Sequence, residues 1–438
     1  MSQRLTMLAQ ILRHLLIGLL LLSLAVGCVH PNRPIQVVRA DAARVTRPDV
    51  PTQDLADLVR GNNGFAVDLY RALREQESGN FFYSPFSISI ALAMTWAGAR
   101  GETEREMADV LHFALPQDRL HPAFNALDLE LAQRGQGARG NDGTGFRLHI
   151  VNALWSQKGY QFLPEFLETL ASHYGAGLRL LDFVSDAEAA RGVINDWVSD
   201  QTGGRIRDLI PAGVVSAMTR LVLTNAIYFN AAWAEPFERD LTADGPFYLL
   251  DGRQVMVPMM RQTAYFGYAE GEGFQAVELP YDGEELAMVI LLPGEGRFEE
   301  FEASLDAARL EEMLGRLRSQ HLSLTMPRFQ VESSLHLADT LAAMGMSSPF
   351  QPDQADLSGM NGTRDLYIQA VLHQAFVSVD ESGTEAAAAT AVILGAAGPP
   401  PGLEVTVNRP FIFLIRDRQT GAILFVGRVV NPAHEAAQ

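Results

Sequence analysis

The sequence predicts an α+β fold in which a single large domain combines helices with several strands. Leu58, Phe65 and Leu69 recur at helical spacing, so the domain begins with an amphipathic helix. The last third of the chain contains repeated short runs of apolar and β-branched residues, which favour strands. No linker and no internal repeat divides residues 58–432, so we assign this range to one mixed domain.

The composition fits a globular protein with a large core, because 47% of the 438 residues are hydrophobic and only 20% are charged. The formal net charge of −18 disfavours nucleic-acid binding, which needs a surplus of Lys and Arg. The one cysteine excludes an intrachain disulfide and a multi-cysteine metal site. The histidines are dispersed without metal-ligand spacing. We therefore predict neither a metal nor a cofactor.

Residues 1–27 are typical of an export signal. Arg4 and Arg13 precede an apolar run over residues 15–26, which is shorter than the roughly 20 residues of a membrane span. A small residue and Cys28 end this run and resemble the lipobox of bacterial lipoproteins. The resemblance implies that Cys28 is lipidated and anchors the exported chain to the bacterial cell envelope or surface. Simple secretion and an uncleaved anchor are the alternatives.

The segments on either side of the domain show no apolar periodicity. Residues 28–57 contain several prolines, so we predict a disordered tether between the membrane and the domain. Residues 433–438 are assigned to a short tail.

Within the domain, periodicity and capping residues predict the elements. The predicted helices cover 58–73, a segment that opens with Ser84-Pro85, 163–174, 187–200, 298–317 and 335–344. The predicted strands cover 148–155, 221–229, 275–280, 286–292, 321–326, 367–379, 403–407, 411–415 and 423–429.

The search for catalytic motifs does not identify an enzyme. Residues 135–140 match G-x-G-x-x-G, but no strand precedes them, so they lack the context of a dinucleotide site. Neither a Walker A sequence nor a G-x-S-x-G elbow is present. Acidic residues are plentiful, so a lipid-anchored hydrolase stays an alternative, although no pattern positions a catalytic pair of carboxylates.

Residues 380–402 are the most informative segment. The alanine run favours a helix, whereas the prolines at 399–401 exclude one there. Read with a period of two, one side carries only small and apolar residues from Thr384 to Leu394, and the other side carries one charge, Glu385. Such a segment can enter a sheet as a strand with its uncharged side inward. A flexible alanine-rich surface linker is the alternative.

Four separated motifs resemble those of the serpin family, and they follow the family's order. Residues 381–390, Glu-Ser-Gly-Thr-Glu-Ala-Ala-Ala-Ala-Thr, resemble the hinge of the reactive-centre loop in inhibitory members. Residues 80–89, 223–233 and 405–415 resemble the start of the helix beneath the main sheet, the strand with the family's tryptophan, and the C-terminal signature. The resemblance implies the serpin fold, with three β-sheets, about nine helices and an exposed reactive-centre loop.

The same resemblance implies a serine protease inhibitor rather than an enzyme. In the family, a protease attacks the loop and forms a covalent acyl-enzyme, and the cut loop inserts into the main sheet and traps the protease. Position in the family's loop implies that the reactive bond joins Ala397 to Gly398, with Ala396 and Leu394 as alternatives. No basic residue follows Thr384 within the loop, which disfavours trypsin-like targets and favours elastase-, subtilisin- or chymotrypsin-like proteases.

The resemblance further implies roles for two groups of residues. The hinge comprises Glu381, Gly383, Thr384, Glu385, Ala386, Ala387, Ala388, Ala389 and Thr390. The shutter and breach, where the main sheet opens, comprise Ser84, Ser87, Asn225, His373 and Trp233. We expect a monomer whose partners are serine proteases, in a covalent complex, and a membrane, through Cys28. A non-inhibitory serpin that acts as a binding module is the alternative.

Overall fold

The computed structural model describes residues 35–136, 138, 147–384 and 402–433. Ten α-helices occur within these ranges, together with two short 3-10 helices at Arg239–Leu241 and Ser348–Phe350. None of the helices in the described ranges is both long enough and apolar enough to cross a membrane. The α-helices are α1 (Thr52–Arg74), α2 (Pro85–Trp96), α3 (Gly101–Val110), α4 (Gln117–Leu131), α5 (Pro164–Tyr174), α6 (Ala187–Gln201), α7 (Phe298–Ala303), α8 (Ala307–Gly315), α9 (Leu337–Ala343) and α10 (Ser358–Asn361).

The strands of the described residues form two hydrogen-bonded sheets. The main sheet has seven strands in the order β1-β4-β3-β5-β13-β12-β11. The second sheet has the order β14-β10-β7-β8-β9-β15-β16-β2, and β6 pairs with β7 beside this path. The strands are β1 (Gln36–Val38), β2 (Phe81–Tyr83), β3 (Arg147–Gln157), β4 (Leu178–Leu181), β5 (Leu221–Ala232), β6 (Ala243–Tyr248), β7 (Gln254–Gly271), β8 (Phe274–Pro280), β9 (Leu286–Pro293), β10 (Arg318–Pro327), β11 (Phe329–His336), β12 (Ile368–Val379), β13 (Gly383–Thr384), β14 (Glu404–Thr406), β15 (Phe411–Asp417) and β16 (Ile423–Val429).

The long strand β7 explains why two sheets are present where the resemblance implied three. This strand has 18 residues. Its first part pairs with β6, its middle pairs with β10, and its last residues pair with β8. The β6–β10–β14 group and the β8–β9–β15–β16–β2 group are therefore joined through β7 into one continuous sheet.

Helix α2 lies in the core and contacts strands of both sheets. All 12 of its residues are buried. Its N-cap is Ser84, whose Oγ accepts a hydrogen bond from Ser87 N at 3.1 Å, and Pro85 occupies the first helical position. The cap confirms the predicted helix start, and it fixes the two serines next to the main sheet.

The predicted disordered tether over residues 28–57 is wrong for the described part of that range. The chain from residue 37 onward belongs to one compact unit. Val45 N donates to Ser172 O at 2.9 Å, and α1 begins at Thr52 rather than at Leu58. These contacts are polar and involve partners far along the chain, so they leave no periodic pattern in the sequence.

Two predicted helices also differ in their limits. The helix predicted over 298–317 is divided into α7 and α8, because Asp306 caps a new helix by accepting from Arg309 N at 2.8 Å. The helix predicted from residue 335 begins at Leu337, since β11 continues to His336. The elements α3, α4, α10, β1, β2, β4, β6, β7, β11 and β13 were not among the predicted helices and strands.

Candidate functional site

Strand β12 ends in a tight turn that leads into β13. Asp380 N donates to Gly383 O at 2.9 Å, and Gly383 N donates to Asp380 O at 3.3 Å. The Asp380 side chain accepts from Ser382 N at 2.7 Å. The turn reverses the chain direction, so that Thr384 of β13 pairs antiparallel with Val379 of β12.

The two residues of β13 lie between strands that are direct neighbours elsewhere. Gly383 pairs antiparallel with Ala232 of β5, and Thr384 pairs with Ala231. Away from this end, β5 and β12 pair directly with each other and run parallel. The main sheet therefore holds a short third strand at one end of the β5–β12 pair and is closed along the rest.

Gly383 occupies a backbone position that only glycine fits without strain. Its φ angle is +151°, which side chains of L-residues rarely adopt. A Cβ atom there would overlap the carbonyl oxygen of Ala231 and the Cα of Ala232. The absence of a side chain thus lets the turn approach β5 closely enough for β13 to pair with it.

The side chain of Thr384 is fully buried and contacts an aromatic stack. Its Oγ1 lies 2.8 Å from the hydroxyl oxygen of Tyr281. The Tyr281 ring stacks on Trp233 with 4.7 Å between ring centroids. Trp233 also stabilises the turn between β12 and β13 by donating two hydrogen bonds of 3.0 Å, from Nε1 to Asp380 O and from its backbone N to Ser382 O.

The pKa values of two neighbouring acids in this turn, Asp380 and Glu381, are shifted in opposite directions. Glu381 is 2% exposed and accepts from Arg328 Nε at 2.7 Å and from Thr242 Oγ1 at 2.5 Å. Burial acts to raise the pKa of Glu381, but these donors outweigh it and hold the pKa below its usual value. Burial raises the pKa of Asp380 above its usual value. Glu381 therefore stabilises the turn as a carboxylate paired with Arg328.

His373 of β12 lies in a buried polar cluster where α2 meets the main sheet. Its Nε2 accepts the backbone N–H of Ser84 at 3.1 Å, which assigns the ring proton to Nδ1, and Nδ1 donates to Asn225 Oδ1. Burial lowers the pKa of His373 to about 3, so the ring is neutral at pH 7. Both ring nitrogens are occupied, which leaves no lone pair for a catalytic base.

Asn225 connects this histidine to α2 and to β3. Its Nδ2 donates to Ser87 Oγ at 2.5 Å and also to Asn152 Oδ1. Ser87 Oγ donates to Asn152 Oδ1 at 3.3 Å. In the ladder, Asn225 lies opposite Asn152 of β3 on one side and opposite His373 of β12 on the other. The cluster therefore links three adjacent strands by side chains in one row.

The chain that follows the loop is attached to the second sheet. Leu403 O accepts from Ser323 N at 2.9 Å, and Glu404 of β14 pairs with Ser323 of β10. Residues 385–401 thus connect β13 in the main sheet to β14 in the second sheet. Both attachment points are strand residues with main-chain partners.

The polar groups of this site are hydrogen-bonded to one another and to the main chain. The hydroxyls of Ser84 and Ser87 are buried and hydrogen-bonded. Over the described ranges, no group of three or more His, Cys, Asp or Glu side chains is placed to hold a metal ion. The distinctive feature is instead a strand that begins between β5 and β12.

A family model described as Serpin (serine protease inhibitor) matches residues 60–432. The chain belongs to the serpin family. Human leukocyte elastase inhibitor is 40% identical over 388 residues, which cover 86% of this chain and 100% of that protein. A serpin-like protein of Thermococcus kodakarensis is 43% identical over 379 residues, which cover 86% of each chain.

Solved structures of serpins have the same fold as this chain. Uncleaved ovalbumin has a TM-score of 0.78 at 28% identity, covering 86% of this chain and all of that one. The thermophilic serpin tengpin in its native state has a TM-score of 0.79 at 26% identity, covering 91% of this chain and all of that one. The predicted mixed fold is therefore confirmed as the serpin fold.

The structure describes only part of the serpin site predicted from the sequence. It joins Ser84, Ser87, Asn225 and His373 in one hydrogen-bonded cluster. It places Glu381, Gly383 and Thr384 beside Trp233. The following predicted residues lie outside the described ranges: Cys28, Glu385, Ala386, Ala387, Ala388, Ala389, Thr390, Ala397 and Gly398.

Sequence reasoning missed four residues of the site. Asn152 was detectable as a lone amide in a strand-like run, where a buried polar side chain needs a partner. Tyr281, Arg328 and Thr242 gave no such signal, because they lie far along the chain from the hinge. Arg328 reaches the hinge through the pairing of β11 with β12, whereas Tyr281 follows β8 and Thr242 precedes β6, both strands of the second sheet.

Proposed function

We propose that this serpin inhibits serine proteases as a suicide substrate. The protease's serine hydroxyl attacks the carbonyl carbon of Ala397, and an ester forms as the peptide bond to Gly398 breaks. The new amino group of Gly398 takes a proton from the protease's catalytic histidine. The freed loop then inserts between β5 and β12, and it carries the esterified protease along before water can hydrolyse the ester.

The short strand β13 is the observation that supports this proposal most directly. Both of its residues already pair antiparallel with β5, and Thr384 also pairs antiparallel with Val379 of β12. Because β5 and β12 are parallel to each other, a strand that continues from β13 is antiparallel to both. Insertion extends an existing ladder and needs no new nucleus.

The energetics of insertion favour the cut form. The direct β5–β12 pairing is lost, but the inserted strand gains a partner on each side. Each main-chain hydrogen bond contributes about 0.5–1.5 kcal/mol net, and each buried Å² of apolar surface contributes about 25 cal/mol. The uncharged inward side from Thr384 to Leu394 suits such burial. The intact protein is then held by a kinetic barrier rather than at its energy minimum.

The residues at the reactive bond support a target with a small primary pocket. Alanine at 397 fits elastase- or subtilisin-like proteases, and Leu394 suits a chymotrypsin-like one. Several relatives at about 40% identity are leukocyte elastase inhibitors by name, which supports the elastase type. No Lys or Arg between Thr384 and Leu403 can pair with the acid of a trypsin-like pocket.

Incubation with elastase, subtilisin, chymotrypsin and trypsin tests the proposal. We expect an SDS-stable adduct with at least one of the first three and a released C-terminal peptide whose mass begins at Gly398. The variant Thr384→Arg should be cleaved without forming an adduct, because it puts a charge on the inward side. Cleavage without an adduct in the unaltered chain, and without a rise in melting temperature, would instead indicate a binding module. Substrate turnover without added protease would indicate a hydrolase.

We further propose that the chain is exported and anchored to the bacterial cell envelope through a lipid on Cys28. The basic, apolar and small-residue pattern before Cys28 supports this proposal. Incorporation of labelled palmitate and partition into detergent should both be lost in Cys28→Ser. If the label is retained in that variant, or the unaltered protein stays in the aqueous phase, the anchor is contradicted.

A further inference from the structure

The start of the loop and the opposite end of the main sheet are well separated. β13 pairs with Ala231 and Ala232, the last two residues of β5. At the opposite end, Leu221 of β5 pairs with Ser156 of β3 and with Ile368 of β12. β5 has 12 residues. The two ends are therefore about 35 Å apart, and the end at Leu221 is called the far end below.

The N-terminal segment is attached near the far end. β1 is hydrogen-bonded to β4, and β4 pairs with residues 154–157, the last part of β3. Lys158 N donates to Leu181 O at 2.8 Å where these two strands finish. Cys28 precedes Val37 by nine residues, which span at most about 32 Å. A lipid on Cys28 would therefore keep the far end close to the bilayer.

Two turns at the far end expose apolar side chains. Val184, three residues after β4, is 52% exposed, and Met218, three residues before β5, is 63% exposed. Val184 N donates to Gln157 Oε1 at 3.1 Å, and Met218 O accepts from the Tyr367 hydroxyl at 2.9 Å. Because these bonds join each turn to a residue at a strand end, both exposed side chains are held at the end of the sheet.

Basic side chains accompany the two turns. Lys158 is exposed and follows β3, and Arg220 precedes β5, with its carbonyl oxygen accepting from Gln157 N at 3.0 Å. The nearby acids Asp182 and Asp365 already accept hydrogen bonds within their own turns, at 3.1 and 3.0 Å. Exposed apolar side chains next to Lys and Arg suit an interface with anionic lipid headgroups.

We infer that the far end is a membrane contact of the anchored chain. Val184 and Met218 enter the headgroup layer, and Lys158 pairs with the headgroups of anionic lipids. The inference rests on the proposed lipid anchor, because the short segment after Cys28 brings this end to the bilayer. The loop then faces away from the membrane. A strand that continues from β13 runs antiparallel to β5 and toward the far end, so a trapped protease would arrive at this surface and displace it from the lipid.

Acylation of Lys158 by an amine-reactive ester tests the contact, because Lys158 is the only lysine of the chain. The chain from Cys28 onward is coupled through that cysteine, also the only one, to a maleimide lipid. The vesicles contain phosphatidylcholine with phosphatidylglycerol as the minor component. Thiol coupling gives the same attachment whether or not Cys28 is lipidated in the cell. The mass of the peptide that contains Lys158 measures the acylation rate with and without vesicles.

The far-end variant combines Val184→Asp with Met218→Asp. The matched control combines Leu250→Asp with Met256→Asp, two apolar residues of similar exposure in the second sheet and the turn before β7. Both variants exchange two exposed apolar side chains for two carboxylates, so they differ only in position. Melting temperatures verify that each is folded.

We expect vesicle coupling to slow the acylation of Lys158 about fivefold in the unaltered chain and in the control, and much less in the far-end variant. Hydrogen exchange at Glu284, whose N–H donates to Tyr281 O, should be unaffected by the vesicles. Equal acylation rates with and without vesicles overturn the inference. Equal slowing in the far-end variant and the control, or slower exchange at Glu284, does the same.

Failure of the proposed functions gives different results. A chain that carries no lipid in the cell contradicts the proposed anchor, and a chain that forms no adduct with any protease contradicts the proposed inhibition. In both cases the acylation of Lys158 on maleimide vesicles still decides whether the far end binds lipid.

Discussion

The hydroxyl group of Tyr281 lies 2.8 Å from Oγ1 of Thr384, and both side chains are fully buried. Thr384 is the last described residue before the loop, whereas Tyr281 follows β8 of the second sheet. Burial raises the pKa of Tyr281 well above its usual value, so the phenol stays protonated and can donate or accept this bond. The start of the loop is therefore held by a side chain from the other sheet.

Tyr281→Phe removes this hydroxyl and leaves the ring stacked on Trp233. We expect the free energy of unfolding to fall by about 1 kcal/mol, because Thr384 keeps a buried hydroxyl with one partner fewer. Tyr265→Phe removes a hydroxyl from an exposed ring and is the matched control. Equilibrium unfolding in urea measures both. Equal stability of the two variants would show that the contact contributes nothing.

Gly383→Ala introduces a side chain where the backbone is left-handed and the neighbouring strand is too close. We expect a destabilisation of about 2 kcal/mol or more, because the Cβ displaces β13 from Ala231 and Ala232 of β5. Gly402→Ala, at the other end of the loop, is the control, since a Cβ there meets no atom within 4 Å. Thermal unfolding compares the two. A neutral effect of Gly383→Ala would mean that β13 does not need its close approach to β5.

The opposite pKa shifts of Glu381 and Asp380 predict that pH changes their contributions to stability in opposite directions. The pKa of Glu381 is lowered in the folded state, so its contribution is present above the unfolded pKa of about 4.5 and is lost as pH falls toward the folded value. The pKa of Asp380 is raised, so its contribution is present below the unfolded pKa and is lost as pH rises through the folded value.

Glu381→Gln should therefore lower the melting temperature most at pH 7, and the difference from the unaltered chain should shrink as the pH falls from about 5 to 3. Asp380→Asn keeps the acceptor oxygen but cannot ionise. The melting temperature of Asp380→Asn, taken relative to that of the unaltered chain, should be higher at pH 7 than at pH 3. Melting curves across this range measure both variants, and parallel pH profiles for the two would contradict the opposite shifts.

The motifs predicted the fold and the position of the turn because short segments carried the information. Ser84-Pro85 is a local helix cap, and Gly383 indicates a backbone conformation with positive φ that glycine adopts without strain. The contact of Tyr281 with the hinge depends instead on how two sheets pack, and that of Arg328 depends on the pairing of β11 with β12, neither of which a short pattern encodes. The prediction for the region before α1 was wrong because the partners of that region lie on α4 and α5, far along the chain.

The segment before α1 is attached to the domain by one arginine in particular. Arg44 Nε donates to Asn125 Oδ1 at 2.8 Å, and its NH2 group pairs with Asp128 at 2.5 Å, both on α4. Its aliphatic part covers Gly175, where an added Cβ would lie 3.2 Å from Arg44 Cδ. Arg44 therefore holds the N-terminal segment against α4 and the end of α5.

Arg44→Ala should release this segment and lower the free energy of unfolding by about 1 kcal/mol, since the ion pair is only partly exposed and is assisted by a neutral hydrogen bond. Arg47→Ala removes the same charge from an exposed side chain and should leave stability unchanged. Hydrogen exchange at Val45, whose N–H donates to Ser172, gives a local readout and should become faster only in Arg44→Ala. If exchange at Val45 is as slow in Arg44→Ala as in Arg47→Ala, the backbone contacts hold the segment without the arginine.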